Sequence, residues 1–84
     1  MKIVSTKTAW EDYLYWQNTD KQKLKRINEL VKATFIDPFK GIGNPEPLKY
    51  DLQGFWSRRI DGEHRLVYSF ENNSIEIIAC RFHY

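Results

Sequence analysis

Between residues 6 and 36 the apolar positions recur at helical spacing; after residue 55 they alternate. Lys2 to Val4 is a short apolar-centred segment that predicts a strand. Ser5 or Thr6 then offers a side-chain oxygen to cap a helix running to about Asn18, since such an oxygen accepts an orphan backbone N–H. Trp10, Tyr13, Leu14 and Gln17 share one helical face, and three of the four are apolar, so this face is expected to pack inward. Asn18-Thr19-Asp20 breaks the pattern and supplies a second cap. The second helix is predicted from about Lys21 to Phe35, with Leu24, Ile27, Val31 and Thr34 inward and Lys25, Asn28, Glu29 and Lys32 outward. Pro38 ends helix formation, because the residue before a proline is pushed out of the α region.

The stretch 37–47, DPFKGIGNPEP, reads as a loop. Beyond it, strands are predicted at Phe55–Ile60 and His64–Glu71 on either side of Asp61-Gly62, and at Ser74–Phe82 after Asn72-Asn73, both being tight-turn signals. The expected order is β-α-α-β-β-β. This is an α+β domain with a two-helix hairpin packed on one face of a small, mainly antiparallel sheet. The other sheet face is left uncovered, which makes it a natural binding surface.

With 84 residues the chain has room for a single domain, residues 1–84. Its 42% apolar and 29% charged residues exclude a disordered chain. No apolar run approaches the ~18 residues of a membrane span, and no secretory leader is visible, so the expected compartment is the cytoplasm. One cysteine, Cys80, excludes an internal disulfide and a four-cysteine zinc site. Placed mid-strand among Ile77, Ile78 and Ala79, it reads as a buried small hydrophobe. The formal charge is only +2 but is unevenly spread: residues 1–36 hold seven Lys and Arg against four Asp and Glu, residues 37–84 six against seven. The basic run from Lys21 to Lys32 is either a solvated helix face or a stripe that meets RNA phosphates.

No phosphate loop, serine elbow or paired-histidine zinc spacing is present. What remains is dispersed. Glu46 sits between Pro45 and Pro47, which hold the backbone extended; it is either a solvated loop glutamate or a carboxylate stiff enough to serve as a general base. Lys49 is an ordinary surface lysine or a phosphate contact. Arg58, Arg59, Arg65 and Arg81 all fall on predicted strands, where each can pair with Glu63, Glu71 or Glu76 or offer its planar fork to phosphate. Alternation sends Arg58 and Arg59 to opposite faces. The chain closes on Arg81-Phe82-His83-Tyr84, and the adjacent α-carboxylate favours a charged His83, a proton donor if that end is held and a surface histidine if it frays. Base, arginines, acid and aromatics together are the minimum set for cleaving RNA without a metal or cofactor.

The run NPEPLKYDLQGFWSRRIDGEHRLVY, the ending ACRFHY and the earlier WEDYLYWQNTDK and INELVK resemble the YoeB/Txe toxins of bacterial toxin–antitoxin modules, over essentially the whole chain. The resemblance implies a RelE/ParE-superfamily fold, similar to microbial ribonucleases. It also implies a ribosome-dependent endoribonuclease, an mRNA interferase that inhibits translation by cutting mRNA in the A site of the 70S ribosome. By the same resemblance Glu46 is the general base, Arg65 the phosphate-stabilising arginine, His83 the general acid and Tyr84 the aromatic that helps hold the nucleotide. Lys49 and Arg59 line the same cleft, with Glu63 a weaker member. Phe82 stands where some relatives carry tyrosine. The implied partners are a YefM/Axe-type antitoxin with an acidic tail that folds on the toxin, and a second copy in a homodimer. The alternative is a ParE-like toxin that binds a topoisomerase and does no RNA chemistry; a non-catalytic RNA-binding module is a third reading. Strand parity makes one demand on this assignment. A two-residue turn at Asn72-Asn73 with unbroken alternation puts Arg65 on the face of Cys80, Phe82 and Tyr84, and His83 on the other with Leu66 and Tyr68. A bulge or break near the carboxyl end is therefore expected.

Overall fold

The computed structural model describes residues 1–82. Strand β1 (Lys2–Ser5) leads into helices α1 (Lys7–Thr19) and α2 (Lys21–Ile36), followed by β2 (Glu46–Pro47), a single 3₁₀ turn (Tyr50–Leu52), β3 (Trp56–Arg59), β4 (Arg65–Glu71) and β5 (Ser74–Ala79). The strands form one five-stranded sheet in the order β1-β5-β4-β3-β2. Among the described residues the β1–β5 pair is parallel and the other three pairs are antiparallel. The expected α+β architecture is present, with one addition. Glu46-Pro47, expected as loop, is a two-residue edge strand antiparallel to β3, a place where a proline's missing N–H leaves no ladder bond unmade.

Local chemistry explains the boundaries. Thr6 caps α1, its hydroxyl oxygen accepting from the Ala9 N–H at 3.1 Å. Asp20 closes α1 by donating its N–H to the Trp16 carbonyl and opens α2 by accepting from Gln22 and Lys23. Asn72 and Asn73 both take positive φ, the requirement of the tight hairpin turn. The Asp61 turn works differently: its carboxylate folds back to accept the Glu63 and His64 N–H groups, each at 2.7 Å.

The core lies between the helices and one sheet face. Ile27, Leu30 and Thr34 of α2 are buried, with Leu24 and Val31 packed beside them, so the expected inward face stands and Leu30 joins it. On α1 the expectation holds only in part: Tyr13 packs against the core and Leu14 is half-buried, but Gln17 is exposed and the two tryptophans trade places. Trp10 is 54% exposed and stacks on Tyr13, while Ala9 and Trp16 are buried. The face is chosen by close approach: small Ala9 lets the helix settle onto β5, where the Cys80 Sγ lies 3.6 Å from the Ala9 carbonyl, and the Trp16 indole donates to the Cys80 carbonyl at 2.8 Å. Bulk at helical spacing could not reveal which turn would touch the sheet.

Candidate functional site

Ladder register defines what the second sheet face presents. Glu46, Ser57, Val67 and Ala79 lie opposite one another across four strands, and Arg59 lies opposite Arg65 at the next position. Small Ser57, Val67 and Ala79 make a floor closed to solvent. Above it the Arg65 guanidinium donates to Glu46 Oε1 at 3.0 Å and to the Ser57 hydroxyl at 3.2 Å. The arginine side chain is 21% exposed and the carboxylate 48%, so the pair is open on one side. Ser57 holds the fork from beneath; nothing in the sequence marked it beyond its alternation with Trp56 and Arg58.

Arg59 and Arg65 sit side by side, and like charges directly opposite in a sheet are unfavourable. Glu46 neutralises Arg65. Arg59 is exposed and forms no ion pair among the described residues, although its backbone carbonyl accepts from Arg26 at 3.1 Å. Two adjacent guanidiniums, only one of them paired with a carboxylate among the described residues, leave a net positive charge that suits an anion. Lys49 precedes the 3₁₀ turn and Glu63 lies at the tip of the β3–β4 turn; both are exposed and neither forms an ion pair among the described residues. Thus Glu46, Arg59 and Arg65 are brought to one face, with Lys49 and Glu63 in flanking turns. His83 and Tyr84 lie outside the described residues.

Arg58 takes the opposite face, as alternation requires, but pairs with no carboxylate among the described residues. It is fully buried and donates to the carbonyls of Asp37, Lys40 and Ile42 and to the Tyr68 hydroxyl. Tyr68 in turn donates to the Pro38 carbonyl at 2.6 Å. Arg58 thereby ties the 37–43 loop to the sheet immediately before Glu46. The loop's last bond, Arg59 N–H to the Gly43 carbonyl at 2.7 Å, delivers the chain to β2.

The end of β5 departs from simple alternation. Tyr68 pairs with Ile77 but Val67 pairs with Ala79, so Ile78 is an extra, bulged residue. The bulge reverses parity: Cys80 enters the helix-side core while Arg65 faces the other way, which corrects the expectation that they share a face. The Thr6 hydroxyl donates to the carbonyl of Ile78, the Cys80 N–H donates to Asp12 Oδ2 at 3.0 Å, and Trp16 binds the Cys80 carbonyl. Three residues of α1 and its cap therefore satisfy the backbone groups that leave the ladder. Burial raises the Asp12 pKa, opposed by the Cys80 N–H and the Arg81 charge. Burial, with the Asp12 charge, pushes the Cys80 thiol up to about 12, so it is no nucleophile. The Arg81 guanidinium lies 3.6 Å over the Tyr15 ring and 4.6 Å from that of Phe82. The Arg65 N–H then donates to the Phe82 carbonyl at 2.9 Å, which holds Phe82 beside the arginine that binds Glu46. Among the described residues no three His, Cys, Asp or Glu side chains are grouped to hold a metal ion, and no helix is long and apolar enough to cross a membrane.

A solved YoeB/ParE toxin from Agrobacterium tumefaciens superposes with a TM-score of 0.95 at 49% identity, covering all of both chains. Residues 5–84 match the model of the YoeB-like toxin of bacterial type II toxin–antitoxin systems, and the chain belongs to that family. It is 58% identical to Toxin YoeB of Escherichia coli strain K12 across the full length of both. The Staphylococcus aureus YoeB, solved as a dimer and in a heterotetrameric YoeB–YefM complex, gives TM-scores of 0.93 and 0.91 at 47% identity, over 100% of this chain and 98% of that one.

Proposed function

We propose that this chain is a metal-independent endoribonuclease that cuts mRNA in the A site of the ribosome and is neutralised by a YefM-type antitoxin. One observation carries the reading: a carboxylate held at 3.0 Å by an arginine whose own backbone N–H binds the carbonyl of Phe82. Glu46 removes the 2′-OH proton of a bound nucleotide, and the freed oxygen attacks the adjacent phosphorus. Arg65 and the neighbouring Arg59 stabilise the extra negative charge of the phosphorane as a preset clamp. His83, in the role its family resemblance implies, gives its proton to the departing 5′-oxygen. A 2′,3′-cyclic phosphate and a 5′-hydroxyl result. Tyr84 stacks on the nucleotide, and Lys49 and Glu63 border the cleft.

A formal charge of +2 yields little affinity for free RNA, so the ribosome supplies most of the substrate positioning. The antitoxin assignment, and self-association, rest on the S. aureus YoeB–YefM complex and YoeB dimer. Basic and aromatic residues around Arg59 and Phe82 suit an acidic tail that orders on binding.

Primer extension on a defined mRNA with purified 70S ribosomes tests this. Wild type should create a new 5′ end in the A-site codon only when ribosomes are present. Glu46→Gln should lower that cleavage about 10²–10⁴-fold with ribosome binding nearly unchanged, as expected for loss of a general base. Arrest of translation without a cut by the wild type overturns the ribonuclease and favours a ParE-like binding poison.

A further inference from the structure

We infer that His64 is a positioning residue for this reaction: its Nδ1 latches the Phe82 backbone and so sets where the catalytic chain end begins. The inference rests on the ribonuclease reading for its consequence, though not for its geometry. The Phe82 N–H donates to His64 Nδ1 at 2.8 Å, while the next residue, Arg65, donates its own N–H to the Phe82 carbonyl at 2.9 Å. Both polar backbone groups of Phe82 are thus held by two consecutive residues at the start of β4.

The latch opposes a real tendency to leave. Phe82 has φ +64, the left-handed region, which costs a residue with a side chain roughly 1–2 kcal/mol. It is exposed, so burial does not hold it. A terminal segment in a strained conformation frays unless it is tied down. Nδ1 accepts through its lone pair, so the neutral ring carries its proton on Nε2. The ring itself is fixed: it stands edge-on to the buried Trp16 indole at 4.8 Å, and the His64 backbone N–H is held by Asp61. Trp16 also binds the Cys80 carbonyl, so one tryptophan braces both the latch and the strand it secures. Imidazole meets both neighbours at once, but the acceptor toward Phe82 is what sets the chain, and the ring against Trp16 only braces it.

Two substitutions separate these roles. His64→Phe keeps a ring against Trp16 and removes the acceptor; His64→Asn places an amide oxygen near the Nδ1 position and removes the ring. In single-turnover cleavage on programmed ribosomes, His64→Phe should cut about 10–100-fold more slowly with an unchanged half-saturating ribosome concentration, the consequence of about an ångström of misplacement. His64→Asn should stay within about threefold of wild type. Exchange of the Phe82 amide, followed by NMR, should quicken in His64→Phe and not in His64→Asn. Full cleavage by His64→Phe, or loss in both variants together with a lowered melting temperature, overturns the latch in favour of plain packing. Failure of the wild type to cut overturns the ribonuclease alone. The amide exchange then decides the latch: faster exchange in His64→Phe upholds it, and unchanged exchange refutes it.

Discussion

Replacing Arg58 with methionine should unfold this domain more readily than any change at the Glu46–Arg65 pair. The guanidinium uses four N–H donors, one to the Tyr68 hydroxyl and three to the carbonyls of Asp37, Lys40 and Ile42, at a position with no solvent exposure. Hydrogen bonds to a charged group contribute about 1.5–3 kcal/mol each, so the four amount to roughly 6–12 kcal/mol before any offset. The offset is the several kcal/mol that burial of an unneutralised charge costs. Methionine fills similar volume and removes both. The net loss should be about 3–5 kcal/mol, a large share of the roughly 4–13 kcal/mol available to a domain of this size. Since 1 kcal/mol moves the melting temperature of such a domain by about 4–8 °C, the midpoint should drop by about 12–40 °C. Arg58→Lys should be no better than Arg58→Met, because it retains the buried charge and cannot reach all four acceptors. Urea unfolding followed by tryptophan fluorescence and far-ultraviolet circular dichroism reads both variants. A loss below about 1 kcal/mol in Arg58→Met, or a clear advantage of lysine over methionine, would refute the view that the fork's geometry holds the loop.

Two further outcomes are expected. Gly43 has φ +84, and a Cβ there would lie 2.7 Å from Leu30 Cδ2 and 3.0 Å from the Arg58 Cβ. Gly43→Ala should therefore cost about 2–4 kcal/mol in urea unfolding, while Gly62→Ala, whose added Cβ meets nothing within 4 Å, should stay within about 0.5 kcal/mol of wild type; equal effects would contradict the packing described. Cys80, with its thiol pushed up to about 12 by burial and Asp12, holds its proton in the folded chain and loses it sooner when unfolded. Its contribution to stability is complete below the unfolded thiol's pKa and fades as pH rises from about 9 toward 12, by at most about 1.4 kcal/mol per pH unit, so the gap between wild type and Cys80→Ala should narrow between pH 8 and 10. A constant gap would count against a buried protonated thiol.

Much of this fold was legible because local signals and the global arrangement agree. Thr6 and Asp20 cap where their side-chain chemistry says they should, and Asn72-Asn73 turns where two positive φ values are needed. The α2 stripe and the α+β order follow from periodicity alone. What stayed hidden depended on partners far away in sequence. Trp16 rather than Trp10 is buried because of Cys80, 64 positions later, and no helical wheel contains that contact. Likewise, Glu46-Pro47 becomes a strand only because β3 has a free edge beside it. Arg58 could be assigned to a face but not to its three carbonyls, which lie in a loop without periodicity.

The site divides along the same line. That Glu46 and Arg65 would act together was implied only by the family resemblance, since the residues alone left four strand arginines open; that Ser57 seats the guanidinium had no signal at all, because one serine on a strand carries none until a register is known. Parity was the more informative clue. Unbroken alternation could not reconcile the two terminal residues with Arg65, and that conflict marked where the ladder had to be irregular. The bulge at Ile78 is an irregularity in that region, though His83 and Tyr84 themselves lie outside the described residues, and it redirects backbone bonds: the carbonyls of Ile78 and Cys80 and the N–H of Cys80 turn to partners outside the sheet. Each is recovered by a group from α1 or its cap, namely the Thr6 hydroxyl, the Trp16 indole and the Asp12 carboxylate. The helix that looks like scaffold is therefore what allows the last strand to bend toward Arg65. A change at Thr6, Asp12 or Trp16 should register at the chain end, far from any residue that a motif would single out.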